Sequence, residues 1–352
     1  MNNKILIVTS GGSQLITQLA VLKNHLNNYE NDVFIIYNGV FRESLEQFFI
    51  EVATFYKYKY LGQINFDINP SQFEIRNLLT DLISNKFQKL NNFIANKFNI
   101  LKENRNSDLL IVPVRVKMFS DIVLLSFLKP KKVIYIVDGV VDVFPKRNFN
   151  KFKFLYLKGY LKKLPLKSEV FSPSYLKNDC NKIGLYKEVD IFKVAKELSG
   201  LKIIDDFKNK FLSTQIDYII FSQHYSLSEK VTLDNEIEFY KRIIENICGL
   251  KCKVLFKPHP RDTEEKIEAI RKSEIGNLLV IDEYFQGVPV ELLIDELTTM
   301  DPVFITGNSS APLCFEKNNR IISVFSNELL SVDLNSKIIE FASLNKLKLI
   351  EI

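Results

Sequence analysis

Val254-Leu255-Phe256-Lys257-Pro258-His259-Pro260-Arg261 reads as a buried strand that stops at an imidazole held between two prolines. Proline fixes its own backbone and restricts the residue before it, so His259 sits on a stiff turn. A strand ending this way presents its last side chains at the carboxyl edge of a sheet, where α/β proteins bind their ligands. His259 is one of three histidines in the chain, and Lys257 and Arg261 flank it with positive charge. That setting suits a phosphate or another anion.

Working outward, the same grammar repeats. Asp217 to Ser222 is expected to be a strand, Asn235 to Ile247 a helix, and Thr263 to Lys272 the helix after the His-Pro turn. Asn277 to Ile281, Pro302 to Thr306 and Arg320 to Phe325 read as further strands, with helices near Glu291 and Ser336. The first half has strands at Lys4 to Thr9, Asp32 to Tyr37, Asp108 to Pro113 and Lys131 to Val137, and a short one near Tyr56 to Tyr60. Helices are expected from Gln14 to about Asn27, from Glu43 to Thr54, from Pro70 to Lys102 and around Asp121. Alternation of this kind predicts parallel sheets covered by helices on both faces. The stretch from about Asn148 to Asp206, with Ser172-Pro173-Ser174 inside it, is less regular and marks the domain junction. The expected domains are 1–170 and 171–352.

Composition sets the class. At 352 residues, 46% hydrophobic and 25% charged, the chain has material for two globular cores. A net charge of +5 fits anionic ligands and is too small to imply nucleic acid. The four cysteines, Cys180, Cys248, Cys252 and Cys314, lack zinc spacing and read as reduced thiols in or near the core. The N-terminal apolar run, Ile5 to Val8, is far shorter than a signal-peptide core, and no run approaches a membrane span. The expected location is the cytoplasm. Peripheral contact with the inner membrane through Lys158 to Lys167 competes with a solvated helix face for the same lysines.

Several residues carry chemistry. Ile134-Tyr135-Ile136-Val137-Asp138-Gly139 ends a strand on a carboxylate, either a general base or a turn Asp-Gly, with Asp142 as a nearby substitute. His259 is either a general acid or hydrogen-bond donor to a phosphate, or a structural strand-end histidine. Gly307-Asn308-Ser309-Ser310 precedes a helix start with Pro312 in its first turn, and reads as a phosphate loop or as serine capping. Glu291 opens a helix after Gly287-Val288-Pro289-Val290, to accept ribose hydroxyls or to meet the helix dipole. The first loop, Thr9-Ser10-Gly11-Gly12-Ser13-Gln14, lacks full dinucleotide spacing, although Ser10, Gly11 and Gln14 are ligand candidates. His224 lines a ligand site or is structural. Asp-x-Asp, Walker A and Gly-x-Ser-x-Gly patterns are missing, which favours chemistry without a metal.

In order along the chain, Asp138-Gly139, His259-Pro260 and Ser309-Ser310 resemble the motifs of bacterial sialyltransferases, particularly the capsule and lipooligosaccharide group that includes the polysialyltransferases. Thr9-Ser10 with Gln14-Leu15 is similar to that family's first loop. Where the family usually has two acids before the glycine, Val137 stands first here, which leaves the base role to Asp138 alone. The resemblance implies an α/β GT-B fold with two doubly wound Rossmann-like domains facing a central cleft. The first would be the acceptor side and the second the nucleotide-sugar side. It also implies an inverting, metal-independent transfer of sialic acid, or a related nonulosonic acid, from a CMP-activated donor to a glycan acceptor of a bacterial surface polysaccharide or lipooligosaccharide. Asp138 would take the acceptor proton and His259 would serve the departing phosphate. Lys257, Pro260, Gly307, Asn308, Ser309 and Ser310 would hold the donor, with Glu291 on the ribose. Three alternatives stay open: a GT-B enzyme with another nucleotide-activated sugar, a polyol-phosphate transferase, and a non-catalytic nucleotide-sugar-binding protein.

Overall fold

A computed structural model describes residues 3–25, 31–39, 43–65, 98–113, 124–125, 127–137, 168–176, 187–228, 231–249, 251–273, 277–315 and 318–352. Asp121, Asp138, Gly139, Asp142, Lys158 to Lys167, Cys180 and most of the helix expected over Pro70 to Lys102 lie outside the described residues.

The chain divides into two compact units. The first comprises Met1–Phe41, Phe49–Ser174 and Asn178–Val194, and the second Arg42–Phe48, Tyr175–Lys177 and Ala195–Ile352. The main division therefore falls inside the irregular stretch but after residue 170, because the first sheet continues beyond that point.

That first sheet comprises β1 (Asn3–Thr9), β2 (Asn31–Asn38), β3 (Lys59–Ile64), β4 (Leu109–Pro113), β5 (Lys132–Ile136), β6 (Ser168–Pro173) and β7 (Lys187–Val189), in spatial order β3-β2-β1-β4-β5-β6-β7. Every neighbouring pair is parallel. Continuous apolar runs such as Ile5 to Val8 are what a strand covered on both faces requires, and all four residues are buried. Gln18, from the helix Gly12–His25, donates its amide to the carbonyls of Val8 (2.7 Å) and Ile111 (3.1 Å) and so ties β1 to β4.

Three of these strands, β3, β6 and β7, depart from sequence expectation. β3 starts after Tyr56, since the helix Glu43–Tyr56 runs through that residue. Its pairing with β2 slips between Ile35 and Ile36, where Gly62 takes a left-handed φ of 113°. β6 falls where the sequence reads as irregular. Its Glu169 is held by lysines on both neighbours, Lys132 (2.7 Å) and Lys187 (2.5 Å), which pull its carboxyl down to about 2, Lys132 most strongly.

The second sheet comprises β8 (Tyr218–Phe221), β9 (Lys253–Lys257), β10 (Asn277–Val280), β11 (Val303–Thr306), β12 (Ile321–Phe325) and β13 (Lys348–Glu351), in order β10-β9-β8-β11-β12-β13. All pairs are again parallel. The fold class is the expected one, α/β with two doubly wound Rossmann-like domains. In this sheet the winding reverses between β8 and β11, the switch point at which such folds bind ligands. Its core includes Ile220, Phe239, Tyr240, Phe256, Ile305 and Leu334, drawn from strands and from the helices Leu233–Ile243 and Val332–Asn345. Among the described residues, no helix is long and apolar enough to cross a membrane.

Candidate functional site

Register brings three loops together. Thr306 of β11 pairs with Phe221 of β8, and Phe221 pairs with Lys257 of β9. The three strands thus end level, with neighbours about 5 Å apart. From this edge leave Ser222-Gln223-His224, Pro258-His259-Pro260-Arg261 and Gly307-Asn308-Ser309-Ser310. All three hold residues singled out in the sequence, His224 in the first among them, and the fold sets the second and third on either side of the first.

The His-Pro loop is a closed turn. The backbone N–H of His259 donates to Asp262 Oδ2 (2.9 Å), and the N–H of Asp262 returns to the His259 carbonyl (2.9 Å). Arg261 N–H donates to His259 Nδ1 (3.1 Å). An imidazole nitrogen that accepts carries no proton, so the neutral ring keeps its hydrogen on Nε2 and is a donor there. Burial first, then His224 and the cations Arg261, Lys266 and Lys257, hold His259 well below its ordinary pKa. The His224 ring lies 4.2 Å away, centroid to centroid, tilted by 37°.

Behind the turn is a buried ionic cluster. Thr263 caps the helix Glu264–Arg271 through Lys266 N–H (3.3 Å), and Lys266 points inward from its first turn. Its ammonium reaches Glu236 Oε1 (2.5 Å), the Gln223 carbonyl (2.6 Å), Ser222 Oγ (2.7 Å) and Asp262 Oδ1 (3.0 Å). Tyr240 offers its ring face 4.5 Å from the same nitrogen. Glu236 also accepts from the backbone N–H groups of Tyr225 (3.1 Å) and Ser226 (2.8 Å). Burial raises the pKa of Asp262, against the pull of Lys266.

The third loop is packed against the first. Thr306 Oγ1 accepts from Ser309 N–H (2.8 Å), Ser309 Oγ from Ala311 N–H (3.3 Å), and the Gly307 carbonyl from Ser323 Oγ (2.6 Å). Tyr225 donates its hydroxyl to Asn308 Oδ1 (3.2 Å). That hydroxyl also lies where a Cβ on residue 307 would stand, so only glycine fits. The helix expected after Ser310 is a single 3₁₀ turn, Ala311–Cys314, with Pro312 in it.

Lys257, last in β9, donates to the Gln286 carbonyl (3.1 Å); burial lowers its pKa to about 8, with Glu291 opposing. Glu291 is buried in the 3₁₀ turn Val290–Leu293 and accepts from Tyr175 Oη (3.1 Å). In the first unit, Ser10 donates its N–H (2.8 Å) and hydroxyl (3.0 Å) to Gln14 Oε1, which closes the first loop on the helix beginning at Gly12. Gly11 O accepts from Thr9 Oγ1 (3.0 Å) and Leu15 N–H (3.1 Å). β5 ends at Ile136, and the buried Val137 donates its N–H to the Phe171 carbonyl (2.8 Å). Among the described residues no group of three or more His, Cys, Asp or Glu side chains is arranged to hold a metal ion. Cys248, Cys252 and Cys314 are free thiols, and burial pushes Cys248 up to about 12.

With this geometry in place, a family model described as alpha-2,8-polysialyltransferase (POLYST) matches residues 57–327. The chain belongs to the alpha-2,8-polysialyltransferase family. As a member of it, the chain is a sialyltransferase-type glycosyltransferase that uses a nucleotide-sugar donor and a glycan acceptor, and its two doubly wound domains are those of the GT-B class. No curated protein matches it in sequence. Among solved structures it is similar to a UDP-GlcNAc 2-epimerase from Neisseria meningitidis bound to UDP-GlcNAc, at 13% identity over 97% of this chain and 93% of that one, with a TM-score of 0.47. It is also similar to an E. coli heptosyltransferase with ADP-2-deoxy-2-fluoro heptose, at 11% identity over 97% and 99% of the two chains, with a TM-score of 0.38.

Three buried residues behind these candidate loops went unread in the sequence: Glu236, Asp262 and Lys266. A signal existed for the last two. Asp262 and Lys266 are four apart across a helix start, and Lys266 lies four before the buried Ile270, on the apolar face.

Proposed function

We propose that this polysialyltransferase-family chain moves sialic acid, or a related nonulosonic acid, from its CMP-activated form to a hydroxyl of a glycan acceptor, inverting the anomeric centre without a metal. The level strand ends that gather His259 and the Gly307-Asn308-Ser309-Ser310 loop at the switch point carry this reading. In it, the bond from the sugar's anomeric carbon to the phosphate oxygen breaks, and CMP leaves with the electron pair. The acceptor oxygen forms the new bond and gives its proton to Asp138 as base. His259 Nε2–H and the Ser309 and Ser310 hydroxyls meet the charge gathering on the CMP phosphate, and Lys257 adds a positive field. Glu291 takes the ribose hydroxyls. The reading places the reaction in the cytoplasm and gives the surface polysaccharide or lipooligosaccharide as acceptor.

The test is release of CMP from CMP-sialic acid by the full chain, with glycan acceptors and EDTA present. The expected result is turnover that EDTA leaves unchanged, reduced about 10²–10⁴-fold in His259→Ala and in Asp138→Asn. Strict dependence on added metal, or turnover only with UDP-sugars, overturns the reading.

A further inference from the structure

We propose that Lys266 is a positioning residue for this reaction, fixing the His259 imidazole and the Gly307-Asn308-Ser309-Ser310 loop as one anion-facing surface. The inference rests on the function proposed above and adds to it a residue that touches neither donor nor acceptor.

The connection can be followed atom by atom. His259 N–H is held by Asp262 Oδ2, and Asp262 Oδ1 is held by Lys266 Nζ. The same ammonium grips Glu236 Oε1, which accepts from Tyr225 N–H, and the Tyr225 hydroxyl donates to Asn308 Oδ1. A side branch from Lys266 to the Gln223 carbonyl fixes the residue before His224, whose ring lies against His259. Lys266, Asp262 and Glu236 are each at most 1% exposed. An apolar trio of similar volume would stabilise the core at least as well as these ions, so stability alone is a poor account of them. What ions do better is hold neighbours in one arrangement, because every donor and acceptor has a direction. Here the arrangement they hold includes two of the three loops at the switch point directly, and the third through Tyr225.

Removing Lys266 alone strands two buried carboxylates. The test therefore uses the charge-free triple variant Lys266→Met, Asp262→Asn, Glu236→Gln in the full chain. Two measurements are made. One is kcat and KM for CMP release from CMP-sialic acid. The other is the tautomer of His259, from ¹⁵N shifts of the imidazole nitrogens in a chain with only three histidines. The expected result is a fall in kcat of about 10²-fold with KM within about threefold, and a His259 that changes from a single Nε2–H form to a mixture. If the triple variant does not fold, Asp262→Asn alone carries the same two measurements. Its amide has one acceptor oxygen and must turn a donor toward either His259 N–H or Lys266. Unchanged kcat overturns the proposal, and so does a loss of kcat with the His259 tautomer intact. His259→Ala serves as the control. If that variant is as active as the parent, the role of His259 fails; if the parent releases no CMP, the transferase reading fails, while the tautomer measurement still decides whether Lys266 positions the ring.

Discussion

Lys257 shows how far one side chain's environment reaches into function. Burial takes its pKa from the usual 10.5 to about 8, so the folded chain sheds a proton that the unfolded chain keeps. Below about pH 8 both states are charged and the burial penalty is felt in full. Between about 8 and 10.5 the unfolded state binds more protons, and this residue's contribution to stability rises with pH. In the proposed function its contribution to donor binding runs the other way, because the cation disappears above about pH 8. The expected outcome is a fall in kcat/KM for CMP-sialic acid as pH rises through about 8, absent in Lys257→Arg, whose guanidinium does not titrate there. A fall of the same size in both chains would remove Lys257 from the donor site. At this scale the sequence was legible where backbone rules were strict. Two prolines mark His259, and a glycine before polar residues marks the third loop. Of the residues that orient them, Glu236 was hidden because it is remote in sequence and comes close only through the helix Leu233–Ile243, whose Tyr240 packs against Phe256 of β9.

Helix starts are the elements that carry the site's support. Thr263 closes the first turn of Glu264–Arg271, the turn that bears Lys266. Thr263→Ala is expected to lower stability by about 0.5–2 kcal/mol, read as a shift in the urea midpoint, with kcat within about threefold of the parent. A loss of rate much larger than the loss of stability would mean that the cap itself sets the geometry of Lys266. The start at Thr263 is legible in the sequence, whereas the helices capped by Thr232 and Ser331 are expected there only from Asn235 and near Ser336. β9 is the strand expected before the His-Pro turn, an apolar run cut off by proline. β6, β7 and β13 are short and carry charged or polar residues, and β6 ends in the proline that reads as loop. Periodicity has little to act on in three to six residues.

At the level of the molecule, the chain does not pass from one unit to the other only once. Residues Arg42–Phe48 and Tyr175–Lys177 belong with the second unit although the chain around them belongs with the first. Leu45 is buried there, its side chain and backbone N–H set close against Gly287, and Tyr175 reaches Glu291. Leu45→Ala is expected to cost about 2–5 kcal/mol. Amide exchange should show protection lost from β8–β13, far away in sequence, and loss confined to β2 and β3 would contradict the assignment. A boundary placed after residue 170 follows from composition, which registers polar runs. It cannot register two short segments that return to the other core, because their few residues carry no pattern of their own.

The buried trio also constrains how such a protein can diverge. Exchanging Lys266 for a neutral residue leaves two carboxylates without their counter-charge inside the protein, so that single step is strongly disfavoured, whereas loss of one acid leaves Lys266 paired with the other. Across descendants of this chain, Lys266 will be found replaced only where the acids at positions 236 and 262 are replaced as well.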